Sequence, residues 1–235
     1  MNRYANLVFF AGMMVMNYLA NALPLGGKTT GELSDAYPNL FVPAGVTFSI
    51  WGVIYLLLAG FCVAQFSLKG APVAASLGWL FAVSCLLNGL WIVAWHYERV
   101  PLSMLVMVGL LATLILINLK LKDQPLGLAK AAFGIYLGWI CIATIANVTA
   151  LLVRLDWGGF GISQEVWTIV MIIVGAAIVS AAIVKLANPF LGLAVVWAFA
   201  GIILKRSQDY TSIVVTAALG ILTMALVTIR AFLKK

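Results

Sequence analysis

Three sets of side chains carry the only spacing in this chain that suggests chemistry. Phe48, Trp51 and Tyr55 recur at i, i+3 and i+7 and share one face of a helix. Asn88 is followed by Trp91 at i+3 and Trp95 at i+7, and Asn147 is preceded by Ala143, Trp139 and Tyr136 on one stripe. Each stripe combines rings that stack on a flat apolar surface with a carboxamide that can hydrogen-bond its edge. Stripes like these form an interfacial aromatic belt, or they wall an apolar ligand pocket. A carboxamide inside hydrocarbon must also find a partner, so each Asn has a plainer reading as a hydrogen-bonding link between helices.

The remaining residues exclude most other chemistry. The chain has no paired nucleophile and base, no His-rich cluster and no phosphate-binding glycine loop. Its one histidine, His96, stands beside Tyr97, Glu98 and Arg99 at the end of an apolar run and reads as an interfacial residue, with no metal site indicated. Cys62, Cys85 and Cys141 lie singly inside apolar runs and read as small buried hydrophobes.

The elements that must position these groups are membrane helices. Of 235 residues, 64% are hydrophobic and 9% charged, against about 45–50% and about 25% in soluble domains. Mean hydropathy is +1.12. A helix crosses the hydrocarbon in about 20 apolar residues, and that rule yields eight segments, at 5–23, 45–67, 75–96, 101–121, 130–153, 164–184, 189–204 and 211–231. The runs are continuous rather than alternating, which excludes a closed β-barrel. The expected fold is an all-α integral membrane protein, an eight-helix transmembrane bundle. Its first run reads as a retained helix and not a cleaved signal.

The net charge of +7 comes from basic residues placed singly at the ends of apolar runs, a topology signal and not a nucleic-acid one. With the N-terminus inside, nine Lys and Arg fall on the inner side and five on the outer. Both termini are therefore expected in the cytoplasm. The seven acids all lie in connections or at span ends, so no ionisable group is expected at depth and ion coupling is disfavoured. The connection 24–44 holds Pro24, Lys28, Glu32, Asp35 and Pro43 and reads as a polar loop able to cover a site. Pro125-Leu-Gly-Leu-Ala129 and Pro189-Phe-Leu-Gly-Leu-Ala194 resemble each other; shared turn chemistry in a Leu/Ala-rich chain explains them better than an internal repeat does.

Pro43-Ala-Gly-Val-Thr-Phe48-Ser-Ile-Trp51-Gly-Val-Ile-Tyr55 resembles the Pro-Pro-x-Trp-x-Phe-x-x-Val-Trp-x-x-Leu-Tyr signature of the tryptophan-rich sensory protein/translocator protein family. Leu87-Asn88-Gly-Leu-Trp91 is similar to that family's Leu-Asn-x-x-Trp, and Tyr136-Leu-Gly-Trp139-Ile-Cys-Ile-Ala143-Thr-Ile-Ala-Asn147 to its Tyr-Leu-x-Trp-x-x-Phe-Ala-Thr-x-Leu-Asn. Ala44, Val46, Phe41 and Ile142 depart from the pattern. The likeness covers about residues 5–153, which divides the chain into a five-helix core at 1–153 and a three-helix extension at 154–235.

The resemblance implies a pocket for porphyrins, haem-like tetrapyrroles, sterols or synthetic aromatic ligands. The implied ligand-binding residues are Phe48, Trp51, Tyr55, Asn88, Trp91, Tyr136, Trp139, Ala143 and Asn147. Some bacterial members are held to degrade protoporphyrin photo-oxidatively, and Trp51 and Trp139 occupy the positions of the implicated tryptophans. A binder or sensor is the leading expectation, more an unreactive binder than an enzyme. Facilitated transport of a small or amphipathic solute and photo-oxidative degradation are the alternatives. The residues themselves call for no cofactor; a porphyrin or haem-like ligand is what the resemblance implies. Expected partners are membrane lipids, a hydrophobic small molecule and a second copy in a homodimer, with no nucleic acid. A bacterial inner membrane is the expected location. The family's first long loop is usually drawn on the cytosolic side, whereas the charge count here puts it outside.

Overall fold

The computed structural model describes residues 3–22 and 25–234; Pro24 lies outside them. Ten α-helices and no strand occur among the described residues: α1 Arg3–Asn21, α2 Thr30–Asp35, α3 Ile50–Ala64, α4 Gly70–Leu77, α5 Leu80–His96, α6 Val100–Lys120, α7 Leu128–Arg154, α8 Gln164–Leu186, α9 Phe190–Arg206 and α10 Thr211–Leu233. The chain is an all-α membrane bundle.

Each of the eight expected segments is helical, but not every one is a full span. Five helices are long and apolar enough to cross a membrane, or six with the bent α4–α5 pair counted as one. The segment expected at 75–96 is broken by 65°, because Gly78 takes φ 58° and ψ −133°, a region open to glycine. Helix α9 has 17 residues, about 25 Å at 1.5 Å per residue, before Lys205 and Arg206 end its apolar run. Helix α1 is diluted by Asn6, Asn17 and Asn21, of which Asn6 and Asn17 are buried.

Helix α7 is the hub of the bundle and packs against α3, α6, α8 and α9. Lipid gives helices no hydrophobic reason to associate, so small residues that let backbones close together do that work. On α7, Gly134 and Gly138 face the start of α9, and a Cβ at Gly138 would lie 2.2 Å from the Leu191 carbonyl oxygen. On α9, Gly201 fits against Thr47 and Gly192 against Thr228 of α10. The helices beyond residue 154 are thus built onto α7 and onto the start of α3. The two proline-containing turns differ in use, since Pro189 directly precedes α9 whereas Pro125 lies three residues ahead of α7.

Two ionisable side chains lie deeper than the sequence pattern suggested. Lys130, in the first turn of α7, is 1% exposed and donates from Nζ to the carbonyls of Lys122 at 2.7 Å and Ala187 at 3.0 Å. His96 is 3% exposed and is covered by the first long connection instead of facing the interface. Gly138→Ala should therefore lower the Tm of the detergent-solubilised protein by several degrees, as overpacking costs about 1–3 kcal/mol. Gly52→Ala, where nothing lies within 4 Å of the new Cβ, should not lower it.

Candidate functional site

A short 3-10 turn at Gly45–Ser49 leads into α3 and sets the first aromatic stripe. The turn is held from α9: Trp197 Nε1 donates to the Thr47 carbonyl at 2.8 Å, and the Ala44 amide donates to the Gly201 carbonyl at 3.0 Å. Phe48 and Trp51 are thereby aimed at α7 and α5. The Trp51 ring stacks on Tyr55 at 5.5 Å between centroids and meets Tyr136 at 5.8 Å, Trp139 at 6.2 Å and Trp91 at 6.3 Å. Phe48 meets Trp139 edge-on at 5.9 Å, and Trp91 stacks on Trp95 at 6.0 Å. The rings of the three stripes thus converge on Trp51, with Trp91, Tyr136 and Trp139 buried and Phe48, Trp51 and Tyr55 partly buried.

The two carboxamides have a different use. Asn88 donates to the Tyr136 hydroxyl at 2.9 Å and accepts from Asn17 of α1 at 2.8 Å. Asn147 accepts from Trp91 Nε1 at 2.9 Å and donates to Ser103 of α6 at 3.1 Å. Both therefore tie helices together. Asn147 still borders the central cleft, but Asn88 is fully buried and lines neither of the spaces beside Trp51. Within the aromatic cluster the Tyr55 hydroxyl and Trp139 Nε1 are buried without a hydrogen-bond partner among the described residues.

The central cleft is small. Lined by Phe48, Trp51, Trp91, Trp95, Trp139 and Asn147 among others, it holds about 40 Å³, enough for a few water molecules. The open hollow expected among the first five spans is instead filled by the aromatic rings themselves. The usable volume lies on the other side of the Phe48–Trp51 pair. A groove of about 560 Å³ is bounded by α1, α2 and the start of α3, with Asn17, Tyr18, Thr30, Phe48, Trp51 and Tyr55 in its wall. Ala143 borders the cleft and not the groove, and Tyr136 borders neither.

The connection 25–44 closes over this site as an ordered cap. Helix α2 begins with a reciprocal capping box between Thr29 and Glu32. Hydrogen bonds from the Thr29 amide and hydroxyl hold the Glu32 carboxyl below the usual carboxylate range. His96 Nδ1 lies 2.9 Å from the Leu25 carbonyl, which requires its proton there, and Nε2 lies 3.1 Å from the Thr30 hydroxyl. Trp95 Nε1 donates to the Thr30 carbonyl at 3.4 Å. Tyr37 donates to Glu98 at 3.3 Å, and burial together with the Glu98 charge raises its pKa. From α9, Lys205 pairs with Asp35, and Arg206 donates to the carbonyls of Asn39 and Leu40.

A family model described as TSPO-like protein matches residues 3–230. The chain belongs to that family. The match takes in α8, α9 and most of α10, so the likeness is not confined to residues 5–153. Neither an individual characterised protein nor a solved structure matches the chain. Membership in the TSPO-like family points to ligand binding or transport in a membrane. Asn17 and Thr30 join the site without having stood out in the sequence, Trp95 joins it from the Asn88 stripe, and His96 joins it in place of the interfacial position expected of it; the asparagines of an otherwise apolar α1 were the local signal available for Asn17. In this TSPO-like bundle the Asn88–Tyr136 bond should show a coupling of about 0.6–1.7 kcal/mol, the range for such bonds in membranes. A thermal double-mutant cycle on Asn88→Leu and Tyr136→Phe measures it, and strictly additive losses would contradict the assignment.

Proposed function

We propose that this protein binds a flat, apolar, aromatic-faced ligand of the porphyrin or tetrapyrrole class in the groove against Trp51. The observation that carries this reading is the position of the Phe48–Trp51–Tyr55 stripe, backed by Trp91, Tyr136 and Trp139 and facing about 560 Å³ of space. Drug-sized ligands occupy roughly 300–1,000 Å³. Stacking on a ring contributes about 0.5–1.5 kcal/mol beyond the area buried, and Tyr55 and Trp51 already lie stacked at 21° between planes. The polar edge of such a ligand would meet Asn17, Thr30 and Glu32 along the same wall.

The aromatic cluster gives the bound ring a rigid backing. In the central cleft Trp139 keeps its ring nitrogen without a partner, and Phe48 and Trp51 separate that cleft from the groove. Binding is the reading the geometry favours over catalysis, because the wall offers stacking surfaces and its two carboxylates, Glu32 and Asp35, are already engaged by Thr29 and Lys205. With all eight helical segments counted as crossings, the excess of Lys and Arg on the inner side supports both termini in the cytoplasm.

Gly45 tests the groove without disturbing the bundle. It lines the groove, and a Cβ there meets nothing within 4 Å. Protoporphyrin should quench the protein's tryptophan fluorescence saturably. Gly45→Leu should weaken that binding at least about tenfold, or about 1.4 kcal/mol, at unchanged Tm. Equal affinity in the variant would place the ligand elsewhere.

A further inference from the structure

The far end of α7 builds a second aromatic recess that shares no lining residue with the cleft or the groove. After Arg154 the chain turns into α8 through a tight loop. Its bonds include Trp157 N to the Leu152 carbonyl at 3.1 Å and Trp167 Nε1 to the Gly159 carbonyl at 3.0 Å. The recess between this loop and Pro38–Phe41 encloses about 420 Å³, again the size of a small-ligand site. Trp157 and Trp167 stand 5.3 Å apart at 56°, and Phe160 meets Trp157 edge-on at 5.3 Å. Leu152, Val153 and Met171 supply an apolar floor.

Polar groups in the lining are mostly engaged. The Asn39 side chain serves the Tyr37 carbonyl and the amides of Phe41 and Val42. Thr149 and Thr168 donate to carbonyls of their own helices. The one charged side chain in the lining is Asp156, which makes no ion pair among the described residues. Arg154, two residues earlier, interacts with Tyr37. A carboxylate lining the same recess as two indoles, whose π-clouds are negative, favours a cation there over an anion.

We propose that this recess is a binding site for an organic cation, with the ammonium group held between Asp156 and the indoles of Trp157 and Trp167 and the apolar remainder lying on Leu152, Val153 and Met171. The ammonium belongs to a choline-type lipid headgroup or to a free amphiphilic amine, two sources with the same chemistry. An aromatic belt that merely anchors the bundle at the headgroup level uses the same rings but gives no role to the carboxylate.

Labelled benzyltrimethylammonium, equilibrated with the full chain in neutral maltoside micelles, tests the site. Asp156 sits at φ 49°, a conformation that Asn also tolerates, so Asp156→Asn removes the charge while keeping the turn. Wild type should bind saturably, with affinity at least about tenfold weaker in Asp156→Asn and in Trp157→Leu. Gly45→Leu, which fills the other site, should bind as wild type. Competition by added phosphatidylcholine but not phosphatidylglycerol identifies the lipid headgroup as the source, and competition by neither identifies a free amine. No saturable binding, or undiminished binding in Asp156→Asn, overturns the proposal.

Discussion

The position of Trp51 depends on a backbone grip exerted from the far end of the chain. Helix α9 approaches the turn before α3 closely enough for Trp197 to bond the Thr47 carbonyl and for Gly201 to accept the Ala44 amide. That approach requires glycine at 201, where a Cβ would fall 2.0 Å from the Thr47 hydroxyl. The same helix ends in Lys205 and Arg206, which hold Asp35, Asn39 and Leu40 of the cap. The C-terminal helices therefore fix both the wall and the lid of the groove. The family match extends across these helices as well.

Hydrocarbon offers no water, so the buried carboxamides of this bundle are answered from within. Asn17, Asn88 and Tyr136 link α1, α5 and α7, and Trp91, Asn147 and Ser103 link α5, α7 and α6. At the opposite end, Asn188 bonds Asn118 and the Lys130 carbonyl, while Lys130 reaches the Ala187 carbonyl. These bonds fix the register of the helices on which the aromatic stripes stand. Stripes held this firmly present a preformed stacking face, which lowers the ordering cost of capturing a flat ligand.

The helices and the convergence of Phe48, Trp51, Trp91 and Trp139 were legible in the sequence, because apolar length and i, i+3, i+7 spacing are local properties. What was missed is tertiary. The break at Gly78 depends on one residue's backbone angles. The burial of His96 depends on the fold of a connection whose proline and glycine content reads simply as loop. The carboxamides of Asn88 and Asn147 carried two readings, as ligand contacts or as links between helices, and their partners on α1 and α6 make them links. Cavity size was not readable either, since the rings that could line a hollow are large enough to fill it.

The central claim, that a flat apolar ligand rests on the outer face of the Trp51 cluster, is tested most directly by photo-crosslinking a diazirine-bearing porphyrin to the membrane-embedded protein and sequencing the labelled peptides. Adducts should fall within residues 14–21, 29–35 and 45–55, the three segments that bound nearly all of the groove. Labelling confined to α8 and α10, or spread evenly over lipid-facing positions, would contradict it.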